Sequence, residues 1–183
     1  MLEAMLTADD ITDYLLSKET KLDGKGITNL DVQKIRYFAQ GWHLAINGER
    51  LFQEDLRAWV HGPVVPEVYF RLAQYERDPI PVTEVRGDSA RDLPEAVRTF
   101  LDQIWAKYSM FRTGKLVELT HEQVPWKNAR GDLEARQKSE TPLSTSDMME
   151  FFRTRYKTVL VTLTRAEPDQ SFVDDWNSIA FAP

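Results

Sequence analysis

The side chains able to carry chemistry are few and scattered. The three histidines, His43, His61 and His121, stand far apart in sequence, and there is no cysteine. His121-Glu122 opens like the His-Glu-x-x-His helix of zinc proteases, in which two imidazoles one turn apart share a metal and the glutamate activates water. Pro125 occupies the place of the second histidine. Gly114-Lys115 lacks the preceding glycines that let backbone amides close around a phosphate. Gly87-Asp88-Ser89-Ala90-Arg91 lacks the closing glycine of a nucleophile elbow. A metal site would have to be assembled from distant histidines and acids, with no local ligand pair. The reading is therefore no catalytic residue, no metal and no cofactor. His43, at the end of an amphipathic segment, and His121 read as hydrogen-bonded structural residues.

The elements that hold these side chains follow from periodicity and caps. Thr7 with Asp10, and Thr28 with Asp31, each have the spacing of a capping box. Ile35, Phe38, Ala39, Trp42, Ala45 and Ile46 then follow helical spacing, which predicts a central buried helix from Thr28 to Ile46, stopped by Asn47-Gly48. Arg57 to Trp59 reads as a short strand. Val82 to Val85, a β-branched run beside Pro79 and Pro81, is predicted to pair with it. Gly62-Pro63 reads as a tight turn and Pro66 as the first residue of a helix. Further helices are expected from Asp92 and Glu95 through Tyr108, over Leu116 to Thr120, for one turn over Trp126 to Arg130, and from Ser144 to about Tyr156. Thr158 to Thr164 alternates like a strand. Trp42, Trp59 and Trp105 sit at inward positions. Trp126 follows Pro125, where it either covers the core or lies at the surface. The fold class is α+β and predominantly helical, with a small antiparallel sheet.

Composition sets the outer bounds. Of 183 residues, 42% are hydrophobic and 28% charged, the balance of a globular chain with a sizeable core. The formal net charge of -6 opposes non-specific binding to nucleic acid. The cysteine-free sequence fits a reducing cytoplasm, and no signal peptide or membrane span is read. A DNA-binding regulator is the competing class. The helix after Ser144 carries Arg153, Arg155 and Lys157, but also Asp147 and Glu150, a distribution that matches the helix dipole. A hydrolase is disfavoured by the missing motifs.

Three segments occur in a telling order: the lysine-centred QKIRYFAQGWHLAI, then AWVHGPVVPEVY, then LTHEQVPW. Together they resemble the Panacea domain, the SocA-like or phage GepA-like antitoxin family, over about residues 28–131. The motif scaffold consists of Trp42, His43, Trp59, Gly62, Pro63, Tyr69, His121 and Trp126. The resemblance implies an antitoxin that binds a cognate protein toxin. In the SocA branch it further implies a proteolytic adaptor delivering the toxin to the ClpXP protease. On this reading residues 1–156 form the domain and residues 157–183 an appended strand and tail.

That tail is acidic and aromatic. Glu167, Asp169, Asp174 and Asp175 are interleaved with Phe172, Val173, Trp176, Ile179 and Phe181. Phe172, Trp176 and Ile179 have the i, i+4, i+7 spacing of anchors for a partner's groove. The same spacing would serve a segment that folds back on its own domain.

Overall fold

The computed structural model describes residues 5–21, 24–86 and 93–155. The chain begins with α1 (Ala8–Leu16) and the long α2 (Asn29–Asn47). Both start with the expected capping boxes, in which Thr7 pairs with Asp10 and Thr28 with Asp31. Helix α2 ends at Gly48, whose φ of 76° is a left-handed conformation suited to glycine. A two-stranded antiparallel hairpin follows, β1 (Arg57–Trp59) with β2 (Gly62–Val64), in the register Arg57–Val64, Ala58–Pro63, Trp59–Gly62. The remaining helices are α3 (Pro66–Arg71), α4 (Glu95–Tyr108), α5 (Thr113–His121), α6 (Val124–Arg130) and α7 (Thr145–Arg155). This is the predominantly helical α+β architecture expected.

Helix α2 is the axis. It touches α1, α4, α5, α7 and β2. Its apolar face buries Ile35, Phe38, Ala39, Trp42 and Ala45. Phe38 stacks on Tyr108 of α4 at 4.0 Å, and the Trp42 indole N–H donates to the Tyr108 hydroxyl at 2.9 Å. Helix α7 lies closest at Gly41, where an added Cβ would meet the Phe152 ring at 2.2 Å. Glycine at that position permits the approach.

The polar side of α2 is buried as well. Asn29, Gln33, Arg36 and Gln40 form a stripe one turn apart, and all four are covered. The segment that covers them has little secondary structure, so its backbone uses these side chains as partners. The Gln40 carboxamide accepts from Leu51 N at 2.8 Å and donates to Phe52 O at 3.1 Å. Gln33 accepts from Val65 N at 2.9 Å. Arg36 donates to Thr12 at 2.7 Å.

Several expectations are corrected. Gly62 and Pro63, expected as a tight turn, are the first residues of β2 and pair with β1, and the turn is Val60-His61. Val82–Glu84 is one 3-10 turn and does not pair with β1. Arg71 donates to the Glu84 carbonyl at 2.8 Å and the Tyr75 hydroxyl to its carboxylate at 2.6 Å, which draws the run against α3. The free edge of β1 is met by residues 141–143: Ala58 N donates to Thr141 O at 2.9 Å and Leu143 N to Leu56 O at 2.8 Å. Trp59, expected in the core, is only half-buried because it ends a two-stranded sheet, whereas Trp42 and Trp105 are buried. Helices α5 and α6 begin earlier than predicted, at Thr113 and Val124. Ser144 caps α7 through Asp147 N at 3.1 Å. Asp92, the strand at Thr158 to Thr164 and the tail lie outside the described residues.

Trp42→Ala removes a fully packed ring and the partner of the Tyr108 hydroxyl. It should lower unfolding free energy by about 3–5 kcal/mol, measurable as a shift in the urea midpoint.

Candidate functional site

The three motif segments meet at one point beside the hairpin. The first contributes Lys34, on the side of α2 facing β2. Its side chain is fully buried, and Nζ donates to the Pro63 carbonyl at 2.9 Å. Among the described residues no carboxylate is among the charges acting on it. Burial drives the amine's pKa well below the usual lysine value, and the Arg36 cation pushes in the same direction.

The second segment supplies the hairpin over Lys34. Gly62 has φ of 91°, which L side chains resist, and a Cβ there would lie 2.5 Å from Thr120 Oγ1 and 2.9 Å from Lys34 Nζ. The start of β2 therefore packs as bare backbone between α2 and α5. The third segment closes the arrangement. The His121 ring lies parallel to the Trp126 ring, with centroids 4.1 Å apart. The Trp126 indole N–H donates to Trp59 O at 3.0 Å. Arg130 sits over Trp126 and donates to Ala58 O at 3.1 Å and to the carbonyls of Glu134 and Gln137, both at 2.8 Å. This locks the loop after α6 onto β1.

His121 is pushed down to a pKa of about 4, first by burial and then by the charges of Lys34, His61 and Arg130; the Val60 carbonyl favours the protonated ring and offsets part of this. It is a neutral, stacked ring at neutral pH. His43 lies elsewhere, at the end of α2, with Nδ1 bonded to the Glu49 carbonyl at 2.9 Å. Burial lowers its pKa too. His61 is exposed on the hairpin turn. Among the described residues no three histidine, cysteine, aspartate or glutamate side chains are grouped to hold a metal ion.

Of the residues singled out in the sequence, Trp59, Gly62, Pro63, His121 and Trp126 come together, and Tyr69 joins them through its ring, 5.0 Å from that of Trp59. Trp42 and His43 do not; Trp42 is core and His43 closes the end of α2. Phe172, Trp176 and Ile179 lie outside the described residues. Lys34 was missed as an individual residue, because a lysine in a patterned helix reads as solvent-facing. The one signal was its place within the first motif.

Beside this scaffold opens a groove of about 1030 Å³, bounded by the hairpin, α3, the start of α2 and residues 136–140. Trp59, Tyr69 and Phe70 form an edge-to-face aromatic wall, and Phe70 is 66% exposed. The arrangement offers a surface, with its ionisable groups either sealed or peripheral.

A family model described as the SocA-like antitoxin, Panacea domain, matches residues 32–127. The chain belongs to this antitoxin family. The matched stretch starts in the first turn of α2 and ends in α6, so it contains Lys34, the hairpin, His121 and Trp126. The Panacea-domain chain is also similar to Antitoxin SocA of Caulobacter vibrioides (strain NA1000 / CB15N), with 42% identity over 59 residues. That stretch covers 32% of this chain and 31% of the relative. No solved structure matches.

Gly62→Ala should cost at least about 1–2 kcal/mol from the left-handed backbone alone, read as a lowered urea midpoint at neutral pH. A second outcome concerns acid. An unfolded His121 binds its proton near pH 6.5 and the folded one only near 4, so its contribution to stability is full above 6.5 and is lost as pH falls toward 4. The urea midpoint should therefore fall more steeply over that interval in the natural protein than in His121→Gln.

Proposed function

We propose that this Panacea-domain chain is an antitoxin that neutralises a cognate protein toxin by direct binding in the cytoplasm. The observation that supports it best is the meeting of all three family segments on a rigid scaffold beside an open aromatic groove. The groups with the strongest chemical potential there, Lys34 and His121, serve packing: one is sealed beneath the hairpin, the other stacked on Trp126. The reading is therefore of a binding protein, with no catalytic step. It places the anchors for the toxin at Phe172, Trp176 and Ile179, whose spacing suits an apolar groove on the partner.

The DNA-binding alternative draws less support. Arg153 donates to the Ala45 carbonyl at 2.9 Å, and α7 lies along α2. That basic side chain is committed to the fold. Among the described residues no helix is long and apolar enough to cross a membrane.

The test is co-expression with the product of the neighbouring gene. Growth should return and the two proteins should copurify. His43→Gln, His61→Gln and His121→Gln should each still protect cells wherever they remain folded; a folded, toxin-binding variant that failed to protect would point to chemistry at that histidine. Trp176→Ala should weaken toxin binding by at least roughly 2 kcal/mol, about thirtyfold, with the melting temperature nearly unchanged. Delivery to ClpXP, as opposed to masking, would show as a toxin half-life that the antitoxin shortens only when the protease is present.

A further inference from the structure

The groove carries a charge pattern opposite to that of the chain as a whole. The protein is formally at -6, yet in the groove's lining Arg77, Arg136 and Lys138 outnumber the carboxylates of Glu76 and Glu140, and Glu140 is bonded to the Trp59 indole at 3.2 Å. All three cations are exposed, and among the described residues none has an ion-pair partner. An exposed aromatic wall with unpaired cations calls for an occupant that is both acidic and aromatic. The chain carries such a segment itself. From Glu167 to Phe181 there are four carboxylates and three aromatic rings, with no lysine, arginine or histidine.

We propose that the groove walled by Trp59, Tyr69 and Phe70 is the docking site of the chain's own C-terminal segment, Glu167 to Phe181, with Phe172 and Trp176 against the aromatic wall and the carboxylates facing Arg77, Arg136 and Lys138. This rests on the reading of Phe172, Trp176 and Ile179 as anchors. It gives them a resting place within the molecule, from which a toxin would draw them.

Reach is sufficient. Helix α7 ends at Arg155, beside the C-terminal end of α2, where Arg153 bonds to Ala45. The groove lies at the other end of α2, beside Thr28, Asn29 and Leu30. The 19 residues of α2 span roughly 28 Å at 1.5 Å per residue. The chain from Arg155 to Phe172 extends to roughly 55 Å at about 3.3 Å per residue, so it returns along α2 without being taut. Tethering also presents the segment at an effective concentration of order millimolar, so a weak intrinsic affinity fills the groove.

The absence of cysteine makes the test direct. Gln74→Cys, exposed at the groove's edge, and Ser178→Cys, in the tail, are combined in the full-length chain and spin-labelled. Electron–electron double resonance should give a narrow, short distance. Phe70→Ala or Arg77→Glu, both exposed positions whose variants are checked for an unchanged melt, should abolish the narrow component, and high salt should weaken it. A broad distribution that neither variant alters overturns the proposal. So does a short distance that disappears when labelled protein is mixed with excess unlabelled chain, since the tail then occupies a second copy. A short distance that persists in both variants overturns it as well, since the tail then rests elsewhere. No toxin enters the measurement, so failure here leaves the antitoxin reading to be decided by copurification.

Discussion

The fold depends on the polar stripe of α2 finding backbone partners in the segment that covers it. A helix with a polar face normally turns it to water. Here Gln33, Lys34 and Gln40 are buried, and their side chains satisfy Leu51, Phe52, Pro63 and Val65. Between α2 and α3 the covering segment has only two three-residue strands of regular structure, so most of its amides and carbonyls lack a ladder. Left unpaired in the interior, each would cost about 1–3 kcal/mol. The helix lends its side chains to a loop, and the loop in turn shields them from solvent. Neither half is stable without the other, which makes the stripe a specification for one loop path.

The buried amine of Lys34 is the extreme case. Its neighbours are a carbonyl, the bare backbone of Gly62 and the Thr120 hydroxyl. A carboxylate would have kept it charged. Among the described residues none acts on it, and burial holds its pKa well below the usual lysine value while Nζ donates to the Pro63 carbonyl. Lys34 and Gly62 are thus two parts of one packing solution: the glycine leaves the space that the lysine's end fills, and α5 closes it with Thr120. The aromatic wall of the groove rests on this unit, because Trp59 ends the strand that the unit holds in place.

Much of this was legible in the sequence. Both capping boxes, the extent of α2, the stop at Gly48, the first strand and the helix start at Pro66 follow from local signals that tertiary context did not override. Val82 to Val85 misled because β-branched residues report a preference for extended structure but not a partner. Two prolines limited its pairing, and the edge of β1 was taken by residues 141–143, which carry no strand signature. Trp59 misled because alternation in a two-stranded sheet leaves one end open to solvent. The scaffold residues Gly62, Pro63, His121 and Trp126 were recoverable from their segments. The burial of the α2 stripe was not, since Asn29, Gln33, Arg36 and Gln40 have the spacing of a solvated face and only the loop above them changes its meaning.

The arrangement also sets an order of appearance. One wall of the groove comes from residues 59–77 and the opposite side from residues 136–140, while Thr141 to Leu143 close the edge of β1. A chain leaving the ribosome therefore carries its aromatic wall long before it carries the opposing side. The groove becomes complete only once residue 143 has been made. A truncated product would show Trp59, Tyr69 and Phe70 to solvent on a strand with an unpaired edge, the combination that favours aggregation. A finished groove is thus a late property of synthesis.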